Sequence, residues 1–161
     1  MKLAVYTGSF DPITLGHLNV IERASRIADR LIVGIGINIE KKGLFEPKER
    51  IELAKQTTAP LKNVEVQSFE GLAVDFVQSV GAHVMVRGIR PLTDTAGEFT
   101  MMMANRKLNP NLETVFLMAD GKYSHVSSSL IKQLAPLATD KQLSEFVPAG
   151  IIEPLRKKLG K

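Results

Sequence analysis

The sequence predicts a parallel, doubly wound α/β sheet, and three observations carry that expectation. Short apolar runs alternate five times with longer amphipathic segments, the rhythm of strand–helix–strand units. Several of the runs are apolar at consecutive positions, as strands covered on both faces are. Almost every unusual residue falls just after one of these runs, which is where open parallel sheets bind ligands.

Leu3 to Tyr6 is the first expected strand. The helix expected over Gly16 to Asp29 keeps Leu18, Ile21, Ala24 and Ala28 at helical spacing, with Glu22, Arg23 and Arg26 on the other side. Leu31 to Ile37 is the second strand. Pro47 to Thr58 is the second helix, with Pro47 suited to a first turn and Glu49 near its positive end. Val64 to Phe69 is a strand, Leu72 to Val80 a helix, and His83 to Arg87 a strand in which His83 is structural. Thr93 to Leu108 is a helix and Thr114 to Met118 the fifth strand. A loop, a short helix from about Ser127 and two further helical stretches ending at Leu159 complete the chain. There is no internal repeat, low-complexity segment or linker rich in Pro, Gly and Ser. Residues 1–161 therefore read as one domain, with the C-terminal helices from about 127 to 159 packed on it.

With 161 residues, 44% of them hydrophobic, the chain can bury a core without metal or disulfide staples. The absence of cysteine excludes disulfide frameworks, thiolate zinc sites, iron–sulfur clusters and thiol nucleophiles. The formal charge of +4 hints at anionic partners. Residues from Ile151 onward supply +3 of it through Arg156, Lys157, Lys158 and Lys161 against Glu153, so cations placed at strand ends are the stronger signal. The longest apolar run, Leu31 to Ile37, is seven residues with two glycines, and no targeting segment is visible. A soluble, cytoplasmic protein is expected.

The first strand runs into Thr7-Gly8-Ser9-Phe10-Asp11-Pro12-Ile13-Thr14-Leu15-Gly16-His17. Gly8 permits a close backbone approach, Ser9 offers a hydroxyl and an N–H, and Gly16-His17 opens a helix whose free N–H groups favour an anion. A histidine there can donate to a phosphate oxygen, most strongly if protonated. The ordinary alternative is a tight loop with a capping Thr14 and a surface histidine. The pattern is neither Walker A nor G-x-G-x-x-G. Lys41-Lys42 follows the second strand and Arg87-Gly88-Ile89-Arg90 the fourth; arginine forks match phosphate oxygens, and charge at the end of a buried strand needs a partner. Tyr123-Ser124-His125-Val126-Ser127-Ser128-Ser129 precedes a helical pattern. One serine there would be a cap, but three make a nest of hydroxyls and N–H groups suited to a di- or triphosphate. Glu98, Met101, Met102, Asn105 and Leu108 share one helix face. Most of that face is expected to be core or subunit contact, with Glu98, Asn105 or both turned to the ligand.

There is no Ser-His-Asp order, no HExxH and no DxDxDG loop. Many phosphate-binding groups without a nucleophile or buried base fit transfer of a nucleotidyl group to a substrate phosphate. Such an acceptor is already anionic, so catalysis can rest on positioning and charge stabilisation.

Thr14-Leu15-Gly16-His17 resembles the (H/T)xGH motif of the nucleotidyltransferase superfamily, and Val126-Ser127-Ser128-Ser129 resembles its ISSS-type motif. With the string from Tyr6 to His17, Lys41, Arg87 to Arg90, Asn105-Arg106 and Val115 to Met118, the chain resembles bacterial phosphopantetheine adenylyltransferases nearly end to end. That resemblance implies a Rossmann-like nucleotidyltransferase fold and the reversible reaction of ATP with 4'-phosphopantetheine. The products are dephospho-coenzyme A and pyrophosphate, in coenzyme A biosynthesis, with Mg2+ accompanying ATP and no protein metal ligands. It further implies that Ser9 and His17 hold the ATP phosphates, His17 being the main transition-state stabiliser beside Lys41 and Arg90. Lys41 and Arg87 would bind the phosphate of phosphopantetheine, Ser9 touching both substrates. Phe10, Gly88, Ile89, Arg90, Glu98, Tyr123, Ser124, His125, Val126, Ser127, Ser128 and Ser129 would line the ATP site, and Ala73, Met101 and Asn105 the pantetheine arm. Homohexamers are usual in the family, coenzyme A is an expected feedback ligand, and neither nucleic acid nor membrane is an expected partner.

The chain departs from the family at Thr95-Ala96-Gly97-Glu98, where Phe-Glu-Tyr-Glu is usual; Gly97 costs about 1 kcal/mol of helix stability relative to Ala. Ala73 is smaller than the usual occupant, and Thr7 replaces a common Pro. Two other functions compete. One keeps the superfamily and changes the acceptor to nicotinamide mononucleotide or glycerol 3-phosphate; Lys41 and Arg87 argue against it. The other is a nucleotide-sensing or nucleic-acid-binding module, which needs a contiguous basic face with stacking aromatics. Aromatics are only 6% of the chain, and its basic residues sit at separate strand ends.

Overall fold

The computed structural model describes residues 2–38, 40, 42–90 and 95–160. Five strands, β1 (Leu3–Gly8), β2 (Arg30–Ile37), β3 (Val64–Glu70), β4 (Val84–Ile89) and β5 (Glu113–Met118), form one all-parallel sheet in the order β3-β2-β1-β4-β5. Strands extend beyond the apolar runs that predict them because pairing is a backbone property. Thr7 and Gly8 continue β1 opposite Gly34 and Ile35, and Arg87, Gly88 and Ile89 continue β4 opposite Phe116, Leu117 and Met118. Gly88 and Ile89, expected just after the strand, are thus its last two residues. His83, expected to begin β4, stays outside it and is exposed; its carbonyl accepts the Glu113 N–H at 2.9 Å.

The helices are α1 (Leu15–Ile27), α2 (Pro47–Thr58), α3 (Ala73–Ser79), α4 (Thr95–Leu108), α5 (Ser128–Leu134), α6 (Asp140–Leu143) and α7 (Ala149–Lys158). Alternate residues of the strands face two cores. Ala4, Tyr6, Leu31, Val33, Ile35 and Val86 pack with residues of α1, α2, α5, α6 and α7. Val5, Ile32 and Met85 pack against Val74, Phe76 and Val77 of α3 on the other face. The approach of α3 is close enough that a Cβ at Gly34 would lie 2.6 Å from the Phe76 ring, which itself stacks on Phe69 at 4.6 Å. Covering on both faces is what makes the strands read as continuous apolar runs.

Of the α4 face expected to be core or subunit contact, Asn105 alone is buried within the chain, beside the sulfur of Met85, while Met101 and Leu108 stay more than half exposed, with Phe99 and Met103 exposed beside them on the same helix. The cause is topological. The helix lies over the sheet edge formed by β5, where Phe99 meets Phe116 with ring centroids 5.2 Å apart. Among the described residues, no helix is long and apolar enough to cross a membrane.

Candidate active site

Strand order reverses at β1, whose neighbours are β2 on one side and β4 on the other. Crevices in open sheets form at such a point, outside the carboxyl ends of the strands. A cavity of about 530 Å³ opens there. Its walls are the exit of β1 (Thr7, Gly8, Ser9), the start of α1 (Thr14, Gly16, His17), the end of β4 (Arg87 to Arg90), Gly97 and Glu98 of α4, and Tyr123 with Val126 to Ser129. The floor between β1 and β4 requires glycine: a Cβ at Gly88 would sit 3.1 Å from both the Tyr6 hydroxyl and a Val20 methyl.

Thr14 and His17 cap the first turn of α1 reciprocally. The His17 N–H donates to Thr14 Oγ1 at 3.2 Å, and the Thr14 N–H donates to His17 Nδ1 at 3.1 Å. An Nδ1 that accepts an N–H carries no proton, so the ring proton of the neutral imidazole is on Nε2. Phe10 backs the ring edge-on at 5.0 Å. Burial, with the Arg90 and Arg87 charges nearby, lowers the His17 pKa from 6.5 to about 4. The sequence suggested a donor strongest when protonated; at neutral pH the site instead holds a neutral, oriented N–H. Burial likewise pushes the Tyr6 hydroxyl up, against the opposing charge of Arg87.

Arg87 is engaged on both sides of its fork. Its Nε and one Nη donate to the two Glu98 oxygens at 2.7 and 2.5 Å, and the other Nη donates to the Thr7 carbonyl at 2.7 Å. Glu98, assigned by the resemblance to ATP, therefore neutralises the arginine assigned to the acceptor phosphate. Ser127 caps α5 by accepting the Leu130 N–H at 3.1 Å, and Ser128 Oγ donates to the Pro12 carbonyl at 2.8 Å.

Of the residues singled out from the sequence, Ser9, His17, Arg87, Gly88, Ile89, Arg90, Glu98, Tyr123, Val126, Ser127, Ser128 and Ser129 line this cleft. Phe10 lies beneath it, 1% exposed. Ser124 turns back to donate to the Gly121 carbonyl at 2.8 Å, and His125 packs edge-on against Phe146. Ala73, Met101 and Asn105 stand outside its lining, and Lys41 lies outside the described residues. Sequence reasoning gave no role to Tyr6, Asp11, Arg50, Asn19 or Lys132. The guanidinium of Arg50 donates to the Ser9 carbonyl at 3.1 Å, and Asn19 joins Asp120 by two hydrogen bonds at 2.8 and 3.2 Å. Only Tyr6 and Asp11, within the string from Tyr6 to His17, carry a signal in the sequence.

No group of three or more His, Asp or Glu among the described residues could hold a metal ion. Glu98 is the one carboxylate among the described lining residues, and Arg87 occupies it. Hydroxyls and N–H groups dominate the remaining polar wall, a set that suits phosphate oxygens and an ion that stays on them.

The cytidylyltransferase-like family model matches residues 5–134. The chain is 66% identical over 159 residues to a phosphopantetheine adenylyltransferase of Rhodopirellula baltica, covering 98% of this chain and 89% of that one. It is 49% identical to a phosphopantetheine adenylyltransferase of Clostridium botulinum, covering 99% and 96%. A candidate nicotinate-nucleotide adenylyltransferase from Vibrio parahaemolyticus superposes with a TM-score of 0.68 at 19% identity over 98% of this chain and 93% of its own. Thermotoga maritima TmcAL bound with alpha-thio ATP gives 0.68 at 13% identity over 99% and 56%. The two structural likenesses share the fold.

Proposed function

The chain belongs to the phosphopantetheine adenylyltransferases, and we propose that the cleft between β1 and β4 is where it transfers the adenylyl group of ATP to 4'-phosphopantetheine. The reaction yields dephospho-coenzyme A and pyrophosphate, is reversible, and serves coenzyme A biosynthesis. An oxygen of the acceptor phosphate forms the new bond to the α-phosphorus of ATP, and the bond from that phosphorus to the β-phosphate oxygen breaks. The acceptor is anionic at neutral pH, so no proton needs to be removed from it. What the protein must supply is alignment and stabilisation of charge on the transferring group.

The observation that carries this reading is the Thr14-held imidazole of His17, which presents a neutral Nε2–H beside Arg90 and Arg87. A donor already aimed at the transferring phosphate needs no reorganisation as charge develops. We assign Ser9, His17 and the Val126 to Ser129 segment to the ATP phosphates, with Arg90 and Lys41 as the further cations of the transition state. Phe10 acts by backing the His17 ring; Gly88, Ile89, Glu98 and the Tyr123-Ser124-His125 turn bound the nucleotide. Arg87 and Lys41 take the acceptor phosphate, which exchanges for Glu98 on the Arg87 fork. Ala73, Met101 and Asn105 contact the pantetheine arm.

Mg2+ bound to ATP would neutralise part of the charge on its phosphates, and Ser9 with the Ser127 to Ser129 segment would hold phosphate oxygens beside it. Coenzyme A, which shares the pantetheine and adenosine portions of the product, fits the same cleft as a feedback ligand. We assign residues 1–161 to one catalytic domain, supported by the shared core of the sheet with α5, α6 and α7. The exposed Phe99, Met101, Met103, Leu108 and Met118 support assembly of copies into a homohexamer, and a cytoplasmic location follows from the reaction.

Pyrophosphate release from ATP, measured with phosphopantetheine, nicotinamide mononucleotide and glycerol 3-phosphate in turn, tests the assignment. Release with phosphopantetheine alone is expected; release with another acceptor and none with phosphopantetheine overturns it.

A further inference from the structure

Asp11 lies outside the cleft lining, and its side chain is 6% exposed. Its two oxygens collect three donors from two other parts of the chain. Oδ1 accepts the Phe45 N–H at 2.8 Å; Oδ2 accepts the Leu44 N–H at 2.8 Å and the Lys132 ammonium at 2.6 Å. Leu44 and Phe45 lie between β2 and α2, and Lys132 is on α5, 121 positions away. A second link runs parallel, from Ser128 Oγ to the Pro12 carbonyl at 2.8 Å. Arg50 of α2 also holds the Ser9 carbonyl, donating at 3.1 Å. The loop bearing Ser9 and leading to His17 is thus braced to α5 and to the segment before α2, and the centre of the brace is one buried carboxylate.

A buried charge persists only where its partners are complete. Burial pushes the Asp11 carboxyl up, but Lys132 and the Phe45 and Leu44 N–H groups outweigh it and hold the carboxyl below its ordinary range. The group is therefore ionised throughout the neutral range, and removing one partner leaves the others unbalanced. We propose that Asp11 is a positioning residue for the adenylyl transfer: through Lys132, Leu44 and Phe45 it fixes the spacing between the Ser9–His17 loop and the Ser127–Ser129 segment. The inference rests on the reaction assigned above. A misplacement of about 1 Å between such segments costs on the order of 10²-fold in rate, with no contact to substrate lost.

Four variants test it: Lys132→Met, Lys132→Arg, Asp11→Asn and the double Asp11→Asn/Lys132→Met. Kinetics are measured well below each melting temperature, and ATP affinity is titrated calorimetrically without acceptor. The expected result for Lys132→Met is a fall in kcat of about tenfold or more, ATP bound at least about fivefold more weakly, and the phosphopantetheine KM within about threefold of wild type. Lys132→Arg restores most of the loss, and the double variant loses little more than either single, as members of one unit do. A merely structural pair would lower the melting temperature and leave kcat at 25 °C unmoved. Folded Lys132→Met with kcat and ATP affinity both within twofold of wild type overturns the inference, as does Lys132→Arg falling as far as Lys132→Met. If Asp11→Asn does not fold, Lys132→Met, whose lysine is 40% exposed, still decides. A wild-type enzyme silent with phosphopantetheine would overturn the reaction, and ATP affinity would then judge the brace alone.

Discussion

His17 is oriented by the residue that caps its own helix: Thr14 gives its N–H to His17 Nδ1 at 3.1 Å and takes the His17 N–H on its hydroxyl at 3.2 Å. One pair of hydrogen bonds satisfies two helix-end donors and fixes an imidazole tautomer. Folding and chemistry use the same atoms. Thr14→Val removes the Oγ1 that accepts the His17 N–H, a cap worth about 1 kcal/mol, but keeps the backbone N–H that orients the ring. A loss of stability of that size with kcat and ATP KM little changed is expected, with Thr14→Ser restoring the stability; denaturant unfolding and steady-state kinetics on the three proteins check it.

The sign of the His17 shift sets a pH dependence of stability. The unfolded imidazole titrates near 6.5 and the folded one near 4, so below pH 6.5 the unfolded state binds more protons and is favoured. His17 should weaken folding by about 2 kcal/mol between pH 7 and pH 5. Denaturant unfolding of wild type and His17→Gln at both pH values measures this: the stability of the wild type should fall relative to the variant on acidification. The kcat profile should likewise show no histidine inflection near pH 6.5.

Glu98 competes with the acceptor for Arg87, since it fills two donors of the fork at 2.7 and 2.5 Å. Glu98→Gln weakens that pair. The phosphopantetheine KM should fall severalfold and the ATP KM should rise, whereas Arg87→Ala should raise the acceptor KM by more than about tenfold. Initial rates with each substrate varied in turn separate the two effects.

Close packing makes two glycines unequal. A methyl at Gly34 meets the Phe76 ring at 2.6 Å, while one at Gly88 meets the Tyr6 hydroxyl and Val20 at 3.1 Å. Overpacking of the first kind costs about 1–3 kcal/mol, which lowers Tm by roughly 2–4 °C per kcal/mol in a domain of this size. Gly34→Ala should therefore melt several degrees below Gly88→Ala, while Gly88→Ala, at the cleft floor, should lose more activity.

The apolar stripe on α4 predicts an assembly. Phe99, Met103 and Leu108 are 50%, 63% and 61% exposed, a patch that ordinary monomers rarely leave bare. Light scattering should give the mass of a hexamer for the wild type and of a smaller species for Phe99→Glu/Met103→Glu.

Much of the scaffold was legible because its signals are local. Pro47 with Glu49 marked the bounds of α2, and short apolar runs, several of them consecutive and Val64 to Phe69 interrupted, marked all five strands. The strand ends were less so: Gly88 and Ile89 stay in β4 because β5 pairs with them, a fact no run of side chains records. The sequence likewise leaves the apolar stripe of α4 open between core and subunit contact, and it is the sheet order, which puts the helix at an edge, that leaves the stripe bare. Within the site, the loop from Gly8 to His17 and the serines after Val126 announced themselves by clustering after strands. Asp11–Lys132 and Arg50–Ser9 did not, since their partners meet only after folding. Nor could the tautomer of His17 be read from its position, because it depends on an N–H three residues earlier.

The most direct test is the turnover of His17→Ala with ATP and phosphopantetheine at saturation. If the Nε2–H of His17 stabilises the transferring phosphate, kcat falls about 10²–10³-fold while the fold survives and ATP affinity stays within a few-fold of wild type. A folded His17→Ala enzyme turning over within tenfold of wild type would contradict the account.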